Sequence, residues 1–537
     1  MNPRSEPGTD GGSLRTLLSS RSIVAALLCV LLGSIDLTVV ATVVPELIGD
    51  LGVNTADVDR YIWIVNGYLI AYIVAIPLLG RISDLIGRQR AFMLCLAVFL
   101  VGSVICGSAD SLGQLIAGRV VQGLGGGGLL PVAIALVGDR VARRHYLASI
   151  GVVSAVETIG WVLGPIYGAS VVGLLGGRDE SWRWIFWINV PLLLIALGFV
   201  LRGFSGMLVP PQVHALRSLD FSGAILLSIS LVTFNLALAS GGEFGTNRGT
   251  RLRAMGGTPN PLAEIVPTLL AICVLSTVLL VIRERRARFP LLPVSLYRSA
   301  RFRGNIIANV LLGAVLMVAM VNIPVVVALL SAPDDVSRRS ALLLAPFTIS
   351  IAAASLSAGA IIARAGPGGA SRGAVLLVVT GCASVFLLLR GESLFWIAPG
   401  VATAGVGIGL LLPPLGAVVL EAATAEDRGA AAASALMFRL LGMTVGVSAL
   451  TAMGIRRLQT LTGRLDPVVQ TAGESTASFL NRQRVFIEEQ AIPLSIQVIR
   501  ETFLVAGVIA ASLIVPLLML AGRSDFRRGE TEPGSEP

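Results

Sequence analysis

The chain has 537 residues, of which 54% are hydrophobic and only 14% charged, with a mean hydropathy of +0.83. Soluble domains carry about 25% charged residues, so a soluble fold is excluded. The formal charge of +9 comes from 41 basic residues against 32 acidic. Every basic residue is an arginine, and the arginines lie in short clusters between apolar runs, a pattern of membrane orientation and not of nucleic-acid binding.

The first residues are polar and rich in Gly and Ser; Arg21 then precedes an apolar run to Ile48. That run is longer than the roughly 7–15 apolar residues of a cleaved signal, and it contains Asp36 and ends at Pro45-Glu46, so it reads as an uncleaved first span. A helix needs about 20 apolar residues to cross the hydrocarbon core. On that measure fourteen spans follow, near 23–48, 61–80, 91–108, 113–136, 149–173, 184–201, 220–240, 262–282, 305–330, 340–363, 373–389, 394–420, 430–455 and 500–521. The runs at 91–108 and 373–389 are the shortest, which leaves twelve or thirteen open. The five cysteines (Cys29, Cys95, Cys106, Cys273, Cys382) all fall in apolar runs without CxxC spacing, and so read as small core residues.

With the N-terminus inside, the inner segments carry 24 arginines and the short outer loops 9. Both termini are therefore expected in the cytoplasm. The expected organisation is a cytoplasmic tail (1–21), a six-helix bundle (22–202), an inserted helix pair (218–283), a cytoplasmic linker (284–304), a second six-helix bundle (305–522) and a cytoplasmic tail (523–537). The linker is rich in arginine and suited to anionic headgroups. The one long outer connection, 456–499, mixes polar stretches with apolar clusters. It reads either as a surface loop or as an extension of spans thirteen and fourteen beyond the membrane, presenting an apolar surface. Internal repetition is faint: Pro45 in the first span has a counterpart in Pro324 in the ninth.

Between spans two and three lies the short charged turn Gly80-Arg81-Ile82-Ser83-Asp84-Leu85-Ile86-Gly87-Arg88-Gln89-Arg90. Gly80 and Gly87 permit a bend or a close helix contact. Asp84 among arginines can form ion pairs present in one conformation and broken in another; the plainer reading is a positively charged loop.

Ionisable residues inside the membrane are costly and face a cavity or another charge. Asp36 lies in the first span, Arg119 in the fourth with Gln122 one turn on, Glu157 in the fifth, and Arg439 in the thirteenth. A structural ion pair is the plain alternative for each. Glu157, Gly160, Gly164 and Gly168 recur every three or four residues along one stripe of a helix, with Pro165 able to bend it. This places Glu157 at a tight helix interface, able to bind and release a proton as that interface opens and closes. Arg428 and Arg439 share a helix face, about 16 Å apart at 1.5 Å per residue, and would line one side of a cavity, with Gly442 and Gly446 continuing a small-residue face.

These residues resemble the major facilitator superfamily. Gly80 to Arg90 resembles its loop motif between the second and third helices, with Ser83 and Gln89 as departures. Arg119-Val120-Val121-Gln122-Gly123-Leu124-Gly125 resembles its fourth-helix motif, and Gly160-Trp161-Val162-Leu163-Gly164-Pro165-Ile166-Tyr167-Gly168 the fifth-helix motif of its antiporters. Ser34-Ile35-Asp36-Leu37-Thr38 and Trp182 to Pro191 resemble the fourteen-helix drug:proton antiporter branch. The turn near Ala363-Arg364 lacks the Asp of a second loop motif. Glu157, Arg428 and Arg439 look like the mycobacterial triacylglyceride exporters that act beside a periplasmic lipoprotein.

The resemblance implies an all-α polytopic membrane protein with the major facilitator fold, two six-helix bundles plus an inserted pair. It implies a proton-coupled exporter in the cell inner membrane, working by alternating access. Asp36 and Glu157 would carry the proton, Arg119 would tune them, and Arg428, Arg439 and Gln122 would face the substrate. Gly80, Asp84, Gly87 and Arg88 would form a conformational latch. The substrate is a lipid such as a triacylglyceride or an amphipathic drug; membrane lipids and a periplasmic lipoprotein are the expected partners, with no nucleic acid. No cofactor beyond the proton gradient and no metal are expected, and the chain is expected to act as a monomer. A membrane-embedded enzyme would want clustered catalytic or metal-binding residues, yet His145 and His214 lie in separate loops and no Ser-His or metal spacing appears. A channel would not need the carboxylates and glycine-bounded gates.

Overall fold

The computed structural model describes residues 21–51, 63–141, 145–175, 180–203, 220–240, 265–287, 290–292, 294–331, 336–390, 394–424, 426–462 and 475–520. Both tails, and parts of the long connections, lie outside these residues. The first bundle comprises α1 (Arg21–Asp50), α2 (Trp63–Ile86), α3 (Arg88–Gly107), α4 (Leu112–Arg140), α5 (Tyr146–Leu175) and α6 (Arg183–Gly203). The inserted pair is α7 (Phe221–Ser240) and α8 (Val266–Arg286). A short helix, Val294–Arg298, leads into α9 (Ala300–Leu330).

The next helical stretch, Val336–Leu388, is broken at Gly366, where φ is 71° and ψ 159°. Its two limbs are α10 (span Leu342–Gly366) and α11 (span Gly369–Leu388). Then come α12 (Ala398–Ala422), α13 (Arg428–Thr462) and α14, which starts at Thr476, passes through a π-helical turn at Ile487–Ala491 and runs on as Ile492–Ser512 and Ile514–Leu520. Among the described residues thirteen helices are long and apolar enough to cross a membrane. The 30-residue α5, whose described apolar stretch is Ala148–Trp161, is the fourteenth by length. The chain is a multi-pass membrane protein.

The two bundles repeat one another in backbone detail. Gly87, at the α2–α3 corner, has φ 89° and ψ 150°, nearly the geometry of Gly366 at the α10–α11 corner. Gly123 and Gly127 on α4 pack against the carbonyls of Tyr68 and Tyr72 on α2, as Gly405 and Gly409 on α12 pack against those of Phe347 and Ile351 on α10. Glycine at these crossings lets helix backbones touch, which is how helices associate where lipid removes the hydrophobic drive between them. A proline inside a membrane helix is tolerated where a neighbour satisfies the carbonyl it frees. Pro413 has no N–H to offer the Gly409 carbonyl, and Ser355 Oγ on α10 donates to that oxygen instead at 3.0 Å.

The inserted pair packs on itself through Ser230 Oγ and Thr277 Oγ1, 2.6 Å apart, and α7 leans on both α2 and α13. Apolar positions on α8 such as Val274 and Leu275 are exposed, as on a helix surface that faces lipid. The 35-residue α13 is about 52 Å long at 1.5 Å per residue, well beyond the roughly 30 Å hydrocarbon thickness. Where it passes α14, Arg457 Nε reaches Glu501 Oε2 at 2.8 Å. Part of the long connection is thus helical, with residues 463–474 outside the described set.

Candidate functional site

Two polar clusters lie where charge is expensive and a third lies at one end of the bundles, and each can be traced to the helices that place it. The first is inside the first bundle. Asp36 on α1 and Arg119 on α4 are each 1% exposed, and Arg119 Nη1 donates to Asp36 Oδ2 at 2.7 Å. The other carboxylate oxygen, Oδ1, receives Gln122 Nε2 at 2.9 Å and Asn189 Nδ2 from α6 at 3.1 Å. Arg119 and Gln122 are one helical turn apart and so face α1 together. Arg119 Nη1 also donates to Gln122 Oε1 at 2.7 Å, and its guanidinium lies 3.9 Å from the centre of the Tyr68 ring, a cation–π contact. Gln122 is held in turn by Ser103 Oγ at 2.9 Å. A buried charge pair is tolerable only with its remaining lone pairs and protons satisfied, and here three side-chain donors surround a single carboxylate.

The second cluster joins the two bundles. Glu157 on α5 faces Arg439 on α13, Oε2 to Nη1 4.0 Å, and both residues are buried. The glycine stripe, read from the sequence as sharing the face of Glu157, turns elsewhere. Gly160 and Gly164 pack against Ser34 and Thr38 on α1, inside the same bundle. Three residues advance a helix by about 300°, so Glu157 stands at the edge of the stripe and reaches the other bundle. Gly168 is buried on the same helix, and Pro165 falls within it. On the far side, Arg439 Nε donates to Asn309 Oδ1 on α9 at 3.0 Å.

The third cluster is at the end of the bundles that carries the Gly80–Arg90 turn, here called the turn face. Asp84 accepts the backbone N–H of Gly429 and of Ala430, each at 2.9 Å, and so caps the N-terminus of α13, where free N–H groups and the helix dipole favour an anion. Arg88 Nη1 pairs with Asp84 while its Nε holds Asp139 Oδ2 at 2.9 Å. Asp139 Oδ1 in turn meets Arg428 Nη1 at 3.2 Å, and Arg81 Nη1 meets Asp427 Oδ1 at 2.9 Å. Gly80 lies against Gly429 and Ala433. The turn face is therefore shut.

Arg428 and Arg439, expected along one wall of a cavity, occupy different clusters: Arg428 joins the turn-face network and Arg439 the cross-bundle pair. Their small-residue neighbours Gly442 and Gly446 pack against Val310 and Ala314 on α9. Sequence reasoning did not single out Asp139, Asp427, Asn189 or Asn309 as partners. Two had local signals. Asp139 ends α4, where the dipole disfavours an acid, and Asp427 directly precedes α13, as an N-cap residue does.

Residues 26–447 match the family model described as Major Facilitator Superfamily. The chain belongs to that superfamily. It is 34% identical over 466 residues to the triacylglyceride transporter of Mycolicibacterium hassiacum, covering 84% of this chain and 82% of that one. It is 31% identical over 523 residues to the triacylglyceride transporter of Mycobacterium tuberculosis, covering 94% and 95%. Among solved structures, the proton:xylose symporter XylE superposes with a TM-score of 0.58 at 14% identity, covering 93% of this chain and 96% of the other. The human organic anion transporter MFSD10 superposes with a TM-score of 0.56 at 14% identity, covering 91% and 99%. These two establish likeness of fold alone. A major facilitator protein is a transporter and not an enzyme, and the three clusters are to be read in that light.

Proposed function

We propose that this chain exports a lipid such as a triacylglyceride across the cell inner membrane by alternating access, driven by the proton gradient. The observation that carries the reading is the Glu157–Arg439 pair, buried and shared between the bundles. At 4.0 Å and an effective dielectric of 20 such a pair gains at most about 4 kcal/mol before desolvation is subtracted. A few kcal/mol suffices to move a two-state equilibrium from one side to the other. A proton on Glu157 cancels the attraction and lets the bundles part. In this reading Asp36 is the second proton carrier, held by Arg119, Gln122 and Asn189, and Arg439 is the cation that a substrate ester or carboxylate meets when Glu157 is neutral.

In this reading the turn face lies in the cytoplasm, which the arginine distribution supports, and the closed turn face corresponds to an outward-facing state. Asp84, Arg88, Asp139 and Arg428 form its latch. The lipid substrate is supported by the identity to proteins named triacylglyceride transporters, and the long α13 and α14 offer a periplasmic lipoprotein a surface on which to receive the cargo. The test is transfer of a fluorescent triacylglyceride from proteoliposomes holding the purified chain, with and without an imposed pH gradient. Gradient-stimulated transfer that Glu157→Gln abolishes is the expected result. Transfer indifferent to the gradient would refute proton coupling, and gradient-driven movement of an amphipathic dye with no lipid transfer would replace the substrate.

A further inference from the structure

The cross-bundle pair has a third participant. Among the described residues Arg439 has two polar contacts of opposite character: the Glu157 carboxylate at 4.0 Å, which belongs to the other bundle, and Asn309 Oδ1 at 3.0 Å, which belongs to its own. When the bundles part, only the second can persist. An arginine head in the low-dielectric centre of a membrane protein without a polar partner is costly, so its in-bundle contact decides where the charge waits.

The contact is built with a fixed direction. Arg439 can only donate, so the amide oxygen of Asn309 must face it. The Asn309 amide N–H group then turns to Asn305, donating to Oδ1 at 2.8 Å and to the backbone oxygen at 3.0 Å. Asn305 Nδ2 ends the chain on the Leu415 carbonyl of α12 at 2.7 Å. Both asparagines are fully buried. The α13 backbone that carries Arg439 is clamped as well, since Gly313 on α9 lies against the Arg439 carbonyl and Gly442 lies against Val310. Backbone and head group are thus referenced to α9, and Glu157 is the member that arrives or leaves.

We propose that Asn309, braced by Asn305, is a positioning residue that holds the Arg439 guanidinium as a fixed cation for Glu157 to meet and leave. Its neutrality is the essential property. A carboxylate at that position would satisfy Arg439 permanently from within its own bundle, and Glu157 would lose its attraction. A buried asparagine pair gives the head group a place without giving it a counter-charge. The proposal rests on the reading of Glu157–Arg439 as a tie between bundles.

The test is a double-mutant cycle of Asn309→Asp with Glu157→Gln in the full chain in lipid nanodiscs. It is read as the ratio of closed to parted turn face by pulsed distance measurement between spin labels on the turn-face ends of the two bundles. Asn309→Asp is expected to raise the parted population about fivefold or more beside Glu157, and by less than about twofold when Glu157→Gln is already present. Asn309→Ala, which removes the acceptor without adding charge, is expected to act in the same direction more weakly and carries the same cycle if the Asp variant does not fold. Equal shifts in both backgrounds would mean a merely structural asparagine and would overturn the proposal. Absence of any shift in Glu157→Gln alone would instead sink the cross-bundle tie on which it rests.

Discussion

Gly80 and Gly429 meet backbone to backbone where the two bundles join. A Cβ on Gly80 would stand 2.8 Å from the Gly429 carbonyl oxygen, and one on Gly429 would stand 2.5 Å from that of Gly80. The closed turn face depends on there being no side chain at either position, because these two carbonyls are main chain and cannot rotate away. Gly429→Val should therefore disfavour closure by about 1–3 kcal/mol, the usual cost of overpacking, while leaving each bundle intact. Cysteine labelling at the turn face would then rise at unchanged expression. Unchanged labelling would show that the helices separate there at no cost.

The Asp84 carboxylate makes the same junction electrostatic. It caps two N–H groups of α13, and losing a cap costs about 0.5–2 kcal/mol. Asp84→Ala is expected to slow transport by destabilising the closed turn face, with Asp84→Asn milder because an amide oxygen still accepts. Charge reversal at this position should slow transport further without altering topology, as read by terminal reporter fusions. A flipped topology would return the turn to a simple orientation signal.

Asp36 and Arg119 provide a separate test inside one bundle. Breaking a buried pair by removing one charge costs about 3–5 kcal/mol, because the other is left uncompensated. Asp36→Ala and Arg119→Ala should each lower the thermal unfolding temperature in detergent, and the double variant should be less destabilised than the two losses summed. Additive losses would mean that Gln122 and Asn189 satisfy the carboxylate, and Gln122 the guanidinium, without the other charge.

Much of this was legible in the sequence, and the illegible part has a common cause. Hydrophobic runs give the spans because crossing the membrane imposes a length. Asp36, Arg119, Glu157 and Arg439 stood out because charge in such a run is expensive, and Arg119 with Gln122 could be placed on one face by spacing alone. The partners were harder. Asn309 and Asn305 are neutral residues in an apolar helix, and nothing local distinguishes them from asparagines that bond their own backbone, as Asn235 does with the Leu231 carbonyl. Arg428 and Arg439 were assigned together because periodicity reports the face of a helix and not the depth at which a neighbour begins. The repeat between bundles is written in backbone contacts of a few glycines among 60, too sparse to be seen without the helix crossings.

That repeat supplies the last prediction. Gly87 and Gly366 occupy a backbone region, φ near +80° with ψ near 155°, that is essentially restricted to glycine; any other residue there costs about 1–3 kcal/mol. Nothing lies within 4 Å of a Cβ at either position, so Gly87→Ala and Gly366→Ala should be destabilising through strain alone, and by similar amounts. Their effects on transport should differ. The Gly87 corner sets the direction of Arg88, which holds both Asp84 and Asp139, whereas the turn at Gly366 has no carboxylate corresponding to Asp84, its place being taken by Ala363. Gly87→Ala should therefore lower the transport rate several-fold beyond its effect on melting temperature, and Gly366→Ala should lower melting temperature with transport by the surviving folded protein close to wild type. Equal losses of transport would mean that the corner geometry matters in itself, independent of the ion pairs that Arg88 makes.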